Sequence, residues 1–331
     1  LFTFAAVIYL SMISRRLIRI KVLQIFYAYS QKPGTNLAEA ERELNVSLTR
    51  TLYLYYAILL LVYEIVDYAY SRIEIARAKK IPLWEDLNPN MRFVENRAVK
   101  LIRENDAFKK AIDISGISWN GNENLVKRLY HALVDSPVYQ EYMNDTNESF
   151  SHDVKIIQYM FTDLFAGSAD LESVLEEQSI YWNDELEFIL SVLYKLFDYL
   201  SGNPRSRISP PVLFRNKEDK RFSIQLLHQC ILHQNEYLDW IERFTENWDV
   251  DRIALMDILI ITQGIAEVMH FADIPTRVTI NEYIEIAKYY STPRSGIFVN
   301  GVLDRIVHDL REKKMIKKTG RGLIGEKEEM P

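Results

Sequence analysis

The chain has 331 residues, 48% of them hydrophobic, enough for two domains of ordinary size with at least one full core, which excludes an intrinsically disordered protein. A single cysteine, Cys230, excludes an intrachain disulfide and fits a reducing, cytoplasmic setting. The net charge of −6 argues against a uniformly nucleic-acid-binding surface, but it is unevenly spread: residues 81–216 carry 13 Lys+Arg against 21 Asp+Glu, so the remainder is net positive.

Residues 1–11 (LFTFAAVIYLS) form a short apolar run whose cations follow it rather than precede it, the wrong order for a signal peptide and too short to span a bilayer. Met12 is therefore the expected start, with 1–11 an upstream extension outside the fold; a trimmed membrane anchor is the alternative.

Apolar residues then recur at helical spacing almost throughout, and no alternating run bounded by turn signals reads as a strand, so an all-α chain is expected. A first helix is predicted from Ser14 to Gln31, stopped by Pro33-Gly34, and a second, long one from Asn36 to Lys80. Further helices are predicted at 91–113, 122–134, 147–166 and 183–200. Residues 201–219, with three prolines, read as a linker or ordered crossing. Helices resume at 220–245, 249–270, 276–290 and 295–312, and the charged, glycine-containing tail 313–331 is expected to be disordered. A faint echo relates Ser173-to-Leu190 and Asp239-to-Met256, each placing a tryptophan (Trp182, Trp248) before an acidic helix start. Helix-entry chemistry produces such a likeness about as often as duplication does, so no repeat architecture is read from it.

The first helix opens with Arg15, Arg16 and Arg19, followed by Lys21, where the helix dipole disfavours cations. Phosphate binding is one reason to place them there, and a solvated basic start is the other. Tyr27 reads either as a core tyrosine or as a partner contact. In the C-terminal block the 276–290 helix is apolar round most of its girth and is expected to be central, with Asn281 and Glu282 as polar intrusions. Phe298, Val299, Val302, Leu303, Ile306, Val307 and Leu310 form one buried stripe on the next helix, which Ser295 can cap. Gly301 interrupts that stripe, and close approach by another backbone is its expected reason. Asn300 is expected to lock two helices by an internal bond, and Phe298 and the Ser291-to-Ser295 loop stand where a ring could stack on an exposed base.

The segment IPTRVTINEYIEIAKYYSTPRSGIFVNGVLDRI (274–306) resembles the signature of the NusB transcription antitermination family, in which Asn281, Glu282, Asn300 and Gly301 are signature positions. RRLIRIKVLQIFYAYSQ (15–31) resembles the family's arginine-rich first helix, and Trp248-to-Ile253 its helix entry. The loop departs from the pattern at Pro293-Arg294, where acidic residues are common. The resemblance implies a NusB-like helical bundle formed by 12–50 and 217–312, with 51–216 an inserted helical region of unknown role. It also implies binding of boxA-type single-stranded RNA with the ribosomal protein NusE, as part of an RNA polymerase antitermination complex acting on ribosomal RNA transcription. Carried over residue by residue, Arg15, Arg16, Arg19 and Lys21 would meet RNA, with Ser295 and Phe298 nearby, while Tyr27, Asp251 and Arg252 would lie toward the protein partner. A homodimer is left open.

No P-loop, dinucleotide fingerprint, nucleophile elbow or i, i+4 histidine pair occurs, since His228 and His233 are five apart, so neither an enzyme nor a metal site or cofactor is expected. The rival non-enzymatic reading is a helical protein-binding scaffold in ribosome biogenesis or transcription, without sequence-specific RNA binding.

Overall fold

The computed structural model describes residues 12–32, 34–204, 206, 208–245 and 253–325. Among them the chain is all-α. In order the helices are α1 (Arg15–Gln31), α2 (Leu37–Arg77), α3 (Trp84–Leu87), α4 (Arg97–Arg103), α5 (Asp106–Ser115), α6 (Glu123–Val134), α7 (Pro137–Asn144) and α8 (Phe150–Tyr159). After α8 the chain makes a π-helical turn, Met160–Phe165. There follow α9 (Ala169–Gln178), α10 (Leu186–Gly202), α11 (Lys217–Leu232), α12 (Gln234–Phe244), α13 (Leu255–His270), α14 (Thr276–Tyr290) and α15 (Ser295–Glu312). The described residues fall into two compact units, one of Met12 with those of 49–213, the other of those of 13–48 and 214–325.

The start signals act as their chemistry dictates. Ser14 accepts from the Leu17 amide at the head of α1, and Asn36 and Glu39 exchange bonds at the head of α2, a reciprocal cap. By length and composition α2 would cross a membrane, but 67% of its most apolar stretch is buried in the protein, as in a core helix.

In the 49–213 unit, buried Leu54, Ile58, Leu61 and Ile65 of α2 supply one wall of the core. Two tryptophans tie loops to that helix through their indole N–H groups, Trp119 donating to the Ala57 carbonyl and Trp182 to the Arg50 carbonyl, both at 2.8 Å. Asp153 on α8 is buried and accepts from Arg97 Nε at 2.5 Å and from the Tyr142 hydroxyl at 2.9 Å. The single helix expected over 91–113 is two, because Asn105 caps a fresh start by accepting from the Ala107 and Phe108 amides. Helices α3, α7 and α9 are additions to the expected set.

In the second unit α13 is the central helix, buried continuously from Leu259 to Val268. That corrects the expectation for α14, where Val278, Asn281 and Tyr289 face solvent. The close helix contact also belongs to α13: a Cβ on Gly264 would meet Leu303 side-chain atoms at 3.0 Å. Gly301, in contrast, faces open space with nothing within 4 Å. The expected 220–245 helix is broken at His233 into α11 and α12. The tail is ordered as far as residue 325: the Thr319 amide and Lys318 Nζ donate to the Ala272 and Phe271 carbonyls. Gly322 lies so close to Ala272 that a Cβ there would stand 1.9 Å from the Ala272 oxygen.

Candidate nucleic-acid interface at the start of α1

Arg15, Arg16 and Arg19 leave the first turns of α1 in two directions. Arg15 and Arg19 are four apart, on the face that continues through Val22 and Phe26 into the core. Arg19 is buried and makes a bidentate pair with Glu267 of α13, its Nε and Nη2 donating at 2.7 and 2.6 Å. The Thr279 and Tyr283 hydroxyls of α14 donate to the same carboxylate at 2.8 and 3.0 Å, and Gln263 Nε2 donates to the Arg19 carbonyl at 2.9 Å. Burial opposes the charge on Arg19, but Glu267 holds the guanidinium well above its ordinary value. The same burial, with Glu267 adjacent, pushes the Tyr283 hydroxyl up and keeps it a donor.

At the surface, Arg16 is 52% exposed and forms a two-pronged pair with Glu282, both contacts 2.8 Å. Its hydrogen bonds hold the Glu282 carboxyl below the ordinary range despite partial burial. Arg15, 32% exposed, donates through Nε to Asp219 of α11 at 3.0 Å, with Asp273 3.7 Å from Nη1. Its guanidinium also lies over the Phe222 ring.

The sequence-derived set is thus split. Arg15 and Arg16 present cationic edges to solvent, whereas Arg19 and Lys21 are enclosed, at 3% and 0% exposure, and do not offer theirs. Ser295 is also buried: its hydroxyl donates to Asp257 at 2.9 Å and accepts from the Thr292 amide, pinning the Ser291-to-Ser295 loop onto α13. It is the first residue of α15 rather than its cap. Phe298 and Asn300 are half-buried and Tyr27 is 42% exposed. Asp251 and Arg252 lie outside the described residues.

Sequence reasoning missed Glu267, Thr279, Tyr283, Asp219 and Asp273. The signal for the first was available: Glu267 is the one acid in the second half of α13, on a largely apolar helix, and Arg19 a base on the apolar stripe of α1. Two opposite charges on core faces imply each other.

Residues 205–308 match the family described as NusB family. The matched stretch takes in α11 to α14 and most of α15. Similar proteins include the transcription antitermination protein NusB of Salinibacter ruber, 43% identical over 31% of this chain and 65% of the relative. The protein of the same name from Chloroherpeton thalassium is 35% identical over 35% of this chain and 56% of the relative. That from Natranaerobius thermophilus is 42% identical over 23% and 55%. The chain therefore spans less than two thirds of each of these NusB proteins. No solved structure matches the chain.

Proposed function

We propose that this protein is a transcription antitermination factor that binds boxA-type single-stranded RNA together with the ribosomal protein NusE, in the cytoplasm, during ribosomal RNA transcription. The observation that carries the proposal is the NusB domain over 205–308, whose α11, α13 and α14 brace the arginine-bearing start of α1.

In this reading Arg15 and Arg16 hold RNA phosphates. Glu282 and Asp273 are carboxylates at or near the surface, and exposed pairs of this kind are worth at most about 1 kcal/mol, so a phosphate displaces them at little cost, while Arg15 keeps its Nε on the buried Asp219. Phe298 offers a ring edge to an unstacked base. Arg19 and Lys21 act from inside as positioning residues, and Ser295 fixes the loop beside Phe298. Tyr27, with Asp251 and Arg252, is assigned to the protein partner.

The test is RNA binding at moderate salt with a boxA-type oligonucleotide and a scrambled one, with and without NusE. Preference for boxA, lost in Arg15→Ala/Arg16→Ala with helical content intact, is the expected result. Equal binding of both RNAs in every condition overturns it and leaves the protein-scaffold reading.

A further inference from the structure

The two units share a building plan. Advanced by a constant 66 positions, α8 with its π turn falls on α11, α9 on α12 and α10 on α13, each to within three residues at either end. The burial pattern follows the same step. The buried residues of α9, Leu171 and Leu175, become Tyr237 and Ile241, the buried residues of α12. The buried carboxylate Asp153 becomes the buried carboxylate Asp219, and each takes the Nε of the first arginine of a preceding helix, Arg97 of α4 and Arg15 of α1. Ser179 and Thr245, buried residues that close α9 and α12, also correspond, and in the sequence Trp182 and Trp248 stand at the same step.

The copies differ in what comes next. After α13 the chain returns as α14 and α15, which cover it: Ser295 bonds Asp257, Leu303 packs on Gly264, and Ile260 and Ile261 are fully buried. After α10 it runs on into α11 with no such pair. The positions matching Asp257, Ile260 and Ile261 are Ser191, Tyr194 and Lys195, which face solvent, Tyr194 at 38%. They line an open cleft of about 380 Å³ between α10 and the π turn, floored by Phe161 and Leu190. The segment that forms it is strongly acidic, with nine Asp and Glu against Lys195 alone over residues 160–203; Glu187 lines the cleft and is exposed, as is Asp163 on the π turn.

We propose that this cleft docks one amphipathic helix of a partner protein, with an apolar ridge and lysine or arginine flanks, occupying the place that α15 fills on α13. The second copy supplies the shape of the occupant, and the acids supply its charge. The apolar ridge seats on Leu190 and Tyr194, and the basic flanks meet Asp163 and Glu187.

The probe is a synthetic 18-residue helix with leucine at i, i+3, i+4 and i+7 and lysine elsewhere, set against its leucine–glutamate counterpart. Fluorescence anisotropy on the full chain is expected to detect the lysine helix only. Tyr194→Asp weakens it at least tenfold with an unchanged melting curve, and Glu187→Lys weakens it while giving the glutamate helix measurable affinity. Cys230 is buried, so Ser191→Cys carries the one reactive thiol, and a photo-crosslinker there is expected to trap the lysine helix. Equal binding of both helices, or of the lysine helix to the parent and Tyr194→Asp, overturns the proposal. None of these readouts involves RNA, so they stand apart from the test of antitermination.

Discussion

Arg19 and Glu267 show how one residue type at one spacing serves two ends. Three arginines within five residues look alike in the sequence, and the first two keep a solvent edge while the third is desolvated against a buried carboxylate. Removing one partner of such a pair strands the other charge, so Glu267→Gln is expected to cost about 3–5 kcal/mol in a urea melt. His270 offers a second measurement. Burial, then the neighbouring His233, holds its imidazole below the ordinary 6.5, with the Tyr237 hydroxyl 2.9 Å from Nε2 and Glu236 near His233. The unfolded chain takes up this proton more readily than the fold. The stabilisation is therefore complete above pH 6.5 and is lost as pH falls from there toward the depressed folded value. Melting temperature is expected to drop between pH 7.5 and 5.5, and His270→Gln to flatten that drop.

At the scale of elements, the helices were largely legible because periodicity, caps and breakers agree: Ser14, Asn36, Pro275 and the prolines after 202 all stand where helices start or stop. What was not legible was which helix is central. α13 and α14 are both apolar, and only packing distinguishes a helix covered on every side from one with a wet face. The same holds for the glycines. Gly301 sits in the signature and faces open space, whereas Gly264 in α13 meets Leu303. Gly264→Ala is expected to destabilise by about 1–3 kcal/mol through overpacking, and Gly301→Ala to be neutral or stabilising by up to about 1 kcal/mol. Charge and glycine in the tail signal disorder by composition, and beside that signal Gly322 lets the backbone lie against Ala272. Gly322→Ala is expected to release it, seen as roughly tenfold faster tryptic cleavage at Lys317 and Lys318.

For the whole molecule, charge segregation was readable and its purpose was not. The basic first helix and the acidic middle belong to different compact units, so a net charge of −6 says little about either. If Arg15 and Arg16 are the phosphate contacts, each should contribute about −0.7 to the salt slope for single-stranded RNA, so the double alanine variant is expected to flatten it by roughly 1.4. The candidate site was legible as a motif, but its inward and outward arginines separate only once α13 and α14 are in place. The discontinuous unit also sets an order of manufacture. Arg19 meets Glu267 across 248 positions, so at ~5–20 residues per second the ribosome leaves α1 without its partner for about 12–50 s. Through that interval the apolar side of α1 is exposed in the nascent chain, and the unit that 13–48 begins is the last to close.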